Sequence, residues 1–177
     1  IDPKAGAFEA AVFRIQPKIS QFARLRKTVH ALPLRRPMPA GDGDMTSNFG
    51  YRLDPFTRSP AMHSGIDFKA EHGAAIRSAG AGKVVTAEYS GGYGNMVEID
   101  HGNEIFTRYG HMSAILVSEG QVIQPGMVIG RVGSTGRSTG PHLHYATRIG
   151  SEAVDPTRFI RAGQKFHNGD KLTAHDV

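Results

Sequence analysis

The sequence predicts a mainly β fold: a compact, sandwich-like antiparallel β-sheet domain with an open groove, preceded by an N-terminal helical arm. Three observations predict it. Apolar residues recur every three or four positions near the N-terminus, and no long period of that kind returns between 45 and 160. That later stretch instead alternates short apolar runs with turn residues. Many of the 22 glycines stand in pairs or beside Asn, Ser or Thr, as in turn-rich β proteins.

The elements follow in order. Phe8, Val12, Ile15, Ile19, Phe22, Leu25, Val29 and Leu32 make one stripe on a helix spanning residues 4 to about 32. Lys18, Arg24, Arg26 and Lys27 decorate the rest of it. Pro17 has no N–H to donate, so it is expected to kink this helix or start a second. The stripe fits either the end of a coiled-coil arm or a helix packed on its own domain. Pro33, Pro37, Pro39, Gly41, Asp42 and Gly43 then stop the helix and read as a linker. Arm and linker occupy 1–44, and a globular domain occupies 45–160. Within it, 83–88 and 96–100 read as strands joined through Ser90-Gly91-Gly92-Tyr93-Gly94. A third, 104–109, follows the hairpin signal His101-Gly102-Asn103. Two more, 128–132 and 142–147, flank Gly133-Ser134-Thr135-Gly136. Residues 161–177 read as a loose polar tail.

Composition excludes several classes. With 39% hydrophobic and 21% charged residues, the chain has neither a disordered nor a membrane composition. The formal net charge of +5 suits any polyanionic partner, whether nucleic acid, anionic lipid or an anionic cell wall, and charge alone does not choose among them. No aromatic-basic RNA motif or zinc-finger spacing occurs, so no nucleic-acid partner is expected. The absence of cysteine rules out disulfides and cysteine-ligated metal. No apolar run approaches a membrane span or a signal peptide. The chain opens on Ile1 rather than Met and reads as a fragment or processed product, with any targeting segment upstream.

Four of the nine histidines stand apart. His63-Ser64-Gly65-Ile66-Asp67 sets an imidazole and a carboxylate four residues apart, and zinc accepts both. By itself this spacing is common. His142-Leu143-His144 is more telling, because i and i+2 side chains share one face of a strand. His111 follows Tyr109-Gly110 at the expected end of a strand. Together these residues could supply three ligands for a catalytic zinc and leave further histidines for proton transfer and oxyanion stabilisation. Spacing does not say which residue does which.

The ordered motifs resemble the lysostaphin/LytM family of zinc peptidases. The resemblance runs from Thr46-Ser47-Asn48-Phe49-Gly50-Tyr51-Arg52-Leu53-Asp54-Pro55-Phe56 through His63-x-x-x-Asp67. It continues through Gly91-Gly92-Tyr93-Gly94-Asn95, Asp100-His101-Gly102-Asn103 and Tyr109-Gly110-His111-Met112. It ends with the run from Gly133 to His144, so it covers about two thirds of the chain. The resemblance implies that His63, Asp67 and His144 bind Zn2+, and that His111 and His142 are catalytic. It implies a compact antiparallel β fold, a peptidoglycan substrate and a periplasmic or cell-envelope location. The sequence departs from the family at Met112, where Leu is usual, and at Tyr145-Ala146, where Phe-Glu is usual. His30, His72, His101, His167 and His175 match no catalytic position and are read as structural.

The expected activity is a D,D-endopeptidase acting on D-Ala–diaminopimelate cross-links. The alternative is a non-catalytic activator of cell-wall amidases in division, a role some relatives have taken on losing zinc ligands. The arm is expected to engage a regulatory envelope protein or a second copy of the chain. It is also expected to lie near His111 and restrain access of large substrates.

Overall fold

The computed structural model describes residues 3–169. Helix α1 spans Pro3–Ala31 without interruption. Pro17 therefore neither ends it nor starts a second helix, because one missing donor is outweighed by the long segments on either side. Twelve strands follow: β1 Asp44–Ser47, β2 Gly50–Leu53, β3 Pro60–His63, β4 Ile66–Lys69, β5 Ala75–Arg77, β6 Gly82–Tyr89, β7 Asn95–Asp100, β8 Ile105–Ile115, β9 Val122–Ile123, β10 Val128–Val132, β11 His142–Ile149 and β12 Glu152–Val154. The five strands expected from sequence are β6, β7, β8, β10 and β11. The remaining seven are two to four residues long, too short for a period to register.

The main sheet runs β1-β4-β11-β8-β7-β6-β9, with β10 joining β8 to β5 and β12 alongside β11. The described strand pairs are antiparallel, including a separate β2–β3 hairpin. Ile66, Phe68, Val97, Ile99, Tyr109, Met112, Leu143 and Tyr145 fill one apolar core. This is the mainly β, groove-bearing domain with a leading helix that the sequence predicts.

Two boundaries differ from expectation, and the helix bears on an alternative left open by the sequence. Residues 32–43 are not a free linker. Met38 is fully buried in the core, the Arg35 amide donates to the Ala79 carbonyl, and the Pro37 carbonyl accepts from the Arg77 amide. Proline density read as a spacer is here an extended strap, whose fixed φ suits lying along a sheet edge. Residues 161–169 are not tail but belong to helix α2, Thr157–Gly169. The Asp155 carboxylate accepts from the Thr157 amide at 2.9 Å and starts that helix, and Ile160 anchors it in the core. The rest of the expected tail, 170–177, lies outside the described residues. Finally, most of the α1 stripe is not packed on the domain: Phe8, Ile15, Ile19, Phe22 and Leu25 are all exposed, and only its end at Val29 and Leu32 is half-buried.

The strap gives a first prediction. Met38→Ala is expected to cost about 2–5 kcal/mol, as for other buried methionines cut to alanine. Phe22→Ala on α1 should leave stability within about 0.5 kcal/mol. Urea unfolding of both variants checks the contrast, and equal midpoints would show that the strap is not part of the folded unit.

Candidate active site

Strand register assembles the site. β11 lies between β4 and β8, with His144 opposite Asp67 on one side and Gly110 on the other. Leu143 and Tyr145 enter the core, while His142 and His144 line a groove of about 670 Å³. The alternation expected of His-x-His is therefore present. His63 ends β3 and reaches the same place from the separate hairpin.

Three donor atoms converge there. His63 Nε2 is 3.1 Å from Asp67 Oδ1 and 3.1 Å from His144 Nδ1, and His144 Nδ1 is 2.9 Å from Asp67 Oδ1. His63 Nδ1 donates to the Asn48 carbonyl at 2.8 Å, which leaves Nε2 with its lone pair. Burial pushes the Asp67 carboxyl up, but the His144 and His63 imidazoles against it outweigh this and hold it well below the usual carboxylate range. All three residues are buried. Protons cannot satisfy two nitrogens and a carboxylate oxygen facing one point, whereas one cation can. Two imidazoles and a carboxylate without cysteine fit zinc, and the fixed His63 tautomer is what a metal-binding imidazole needs.

Two more imidazoles face this cluster. His111 lies within β8, not at its end as expected. Between Tyr109 and Met112 that strand advances three residues while β7 advances two, so Gly110-His111 forms a bulge. His111 has φ 59°, an unusual conformation for a side-chain-bearing residue. Its Nδ1 donates to the Thr135 carbonyl at 2.8 Å. Burial, with help from neighbouring His142 and His144, pushes its pKa down to about 4 against the Thr135 hydrogen bond. The ring is therefore neutral at pH 7, with Nε2 as its basic nitrogen. His142 Nδ1 likewise donates to the Gly140 carbonyl at 2.8 Å, and the two rings lie 4.6 Å apart.

Backbone packing holds these rings. A Cβ on Gly65 would fall 2.9 Å from His144 Cε1 and 2.5 Å from the Tyr145 carbonyl oxygen. Gly94 and Gly136, both at positive φ, let two loops meet backbone to backbone beside Thr135. One groove wall is tied by Arg137, which bonds Asp54 at 2.8 Å and lies over the Phe56 ring.

The two departures from the resembled family are accommodated. Met112 is fully buried, and its sulfur occupies the space a Cβ on residue 130 would need. Glu98, on the strand beside β8, bonds Arg108 at 2.9 Å where Ala146 has no carboxylate to offer. His101 is structural: Nδ1 donates to the Ala81 carbonyl and Nε2 hydrogen-bonds Thr107. His72 is exposed, the His30 carbonyl accepts from the Ala81 amide, His167 falls in α2, and His175 lies outside the described residues. Among the described residues, no part of α1 or of the 32–43 strap lines the groove, so the arm is not where it was expected, beside His111. Sequence reasoning assigned no role to Gly65, Arg52 or the carbonyls of Asn48, Thr135 and Gly140. Only the motif runs that contain them pointed there.

Comparison with known proteins agrees with this geometry. Residues 61–156 match the profile of Peptidase family M23. The chain is 43% identical over 127 residues to the DD-carboxypeptidase/endopeptidase Mpg of Neisseria meningitidis serogroup B, covering 72% of this chain and 29% of that protein. It is 47% identical over 112 residues to the peptidoglycan DD-endopeptidase ShyA of Vibrio cholerae, covering 63% and 26%. It thus spans less than a third of either relative. The catalytic domain of lysostaphin from Staphylococcus simulans superposes with a TM-score of 0.61 at 32% identity, covering 67% of this chain and 92% of that domain. The buried His63/Asp67/His144 cluster lies within the matched segment, and the chain belongs to Peptidase family M23.

Proposed function

We propose that the chain is a zinc-dependent endopeptidase of peptidoglycan, cutting the D-Ala–diaminopimelate cross-link in the periplasm or cell envelope. The observation that carries this reading is the convergence of three buried metal donors opposite two imidazoles, each oriented by a backbone carbonyl, in one groove. The names of the relatives, DD-endopeptidase and DD-carboxypeptidase/endopeptidase, support the D,D bond. No helix among the described residues is long and apolar enough to cross a membrane.

In this reading His63, Asp67 and His144 hold the zinc. When bound, zinc supplies Lewis-acid chemistry, polarising the scissile carbonyl and letting a water ionise near neutral pH. The chain's own residues do the rest. His111 and His142 present Nε2 to the groove, each oriented by a carbonyl at 2.8 Å. Neutral His111 accepts the proton of the attacking water at Nε2 and delivers it to the leaving amine; His142 stabilises the developing oxyanion in its doubly protonated form, donating from Nε2 while its Nδ1–H stays on the Gly140 carbonyl. A neutral His111 suits proton acceptance at pH 7. An amidase activator without catalysis would not need this complete set.

Digestion of defined muropeptides by the whole chain, read by mass spectrometry, tests the reading. The expected product is monomer from dimer, abolished by a chelator and restored by zinc. Release of terminal D-Ala alone would mark a carboxypeptidase, and intact dimers with zinc-loaded protein would sink the proposal. Gly65→Ala is expected to press on the Tyr145 carbonyl and the His144 ring, displace this part of β11 and weaken zinc by about tenfold or more, the scale of losing a ligand's supporting contacts. Titration against a chromophoric chelator reads it, and unchanged affinity would mean the ring tolerates the methyl.

A further inference from the structure

We propose that Arg52 is a positioning residue that fixes how Asp67 presents its carboxylate to the metal. This rests on the metal reading above. Arg52 sits on β2 opposite Ala61 of β3, in the hairpin whose last residue is His63. Alternation along β2 turns Tyr51 and Leu53 outward and Arg52 toward the groove. One guanidinium nitrogen, Nη2, lies 3.4 Å from Asp67 Oδ2. The other carboxylate oxygen, Oδ1, faces His63 and His144. The two oxygens therefore have different partners: one points at the ligand cluster and one at a fixed positive charge.

That division has a chemical consequence. A carboxylate with both oxygens free can swing and bind a metal through both. With Oδ2 held by a guanidinium, only Oδ1 is offered, which keeps a coordination position open for water and substrate. Arg52 accepts a cost in this pose: its Nε is buried without a hydrogen-bond partner. An arginine with only a solubility role would turn that group to water. The hairpin thus brings two linked parts to the site, the first metal ligand and the group that orients another.

The test uses the whole chain. Zinc affinity is measured by competition with a chromophoric chelator for wild type, Arg52→Gln and Arg52→Lys, and apo-protein unfolding checks that each folds. Arg52→Gln is expected to weaken zinc about 10–100-fold, and Arg52→Lys, which keeps the charge, less. Cobalt(II) substitution gives a second readout that a merely structural role would not move. The wild type should show the intense visible bands of a four-coordinate ion, and Arg52→Gln the weaker bands of a five-coordinate one. If Arg52→Gln is folded and matches wild type in affinity within twofold and in cobalt spectrum, the inference is overturned. If the wild type binds no stoichiometric metal, the metal reading fails as well, so the two failures are distinct.

Discussion

Replacing His144 by alanine is expected to abolish stoichiometric zinc and bring peptidoglycan hydrolysis down to background, and His63→Ala should do the same. Each removes one of three donors that meet within 3.1 Å of one another, and two donors cannot hold a catalytic zinc in place. The fold should survive, because Leu143 and Tyr145, not His144, carry the core contacts of β11. Metal analysis after dialysis, with far-UV circular dichroism as control, measures this. Full zinc content in either variant would mean that the ligands have been misassigned.

His111→Ala and His142→Ala should give a different phenotype. Both should keep zinc and fold yet lose activity by roughly 100-fold or more, the scale of removing a general base or an oxyanion donor. Their near nitrogens are not among the three converging donors: His142 Nε2 is 4.0 Å from Asp67 Oδ1, and His111 reaches the cluster only by ring proximity. If His142→Ala loses the metal while His144→Ala keeps it, the roles within His-x-His are reversed. The double variant should lose little more than the worse single one, since the two act on the same step.

Much of this site was legible because its parts obey local rules. His142 and His144 share a face through the two-residue period of β11, which needs no tertiary information. The pairing of His144 with Asp67 was not legible from spacing, because it depends on the register between β4 and β11, seventy-odd positions apart. The resemblance supplied what the register would have given. Arg52 was invisible for a similar reason: its partner lies across a separate hairpin. At the level of fold, long strands such as β6 and β8 carry enough residues to register a pattern, whereas β9 and β12 do not. The strap at 32–43 misled because proline and glycine density signals an absence of helix, not an absence of packing, and Leu32, Leu34 and Met38 are too irregularly spaced to read as an element.

The bulge at Gly110-His111 also constrains how this chain can change. Along β8, Thr107 and Tyr109 are buried at odd positions, but the next core residue is Met112, at an even one. The extra residue shifts the parity of the strand. Deleting either Gly110 or His111 would regularise the ladder with β7 and leave Met112 two residues after Tyr109, still facing the core, while the bulge that re-aims His111 would be gone. The bulge therefore sets His111 apart from the inside-outside alternation that packs the rest of β8. Shortening the chain there would remove the role proposed for His111, while the core alternation of β8 would run on unbroken through Met112.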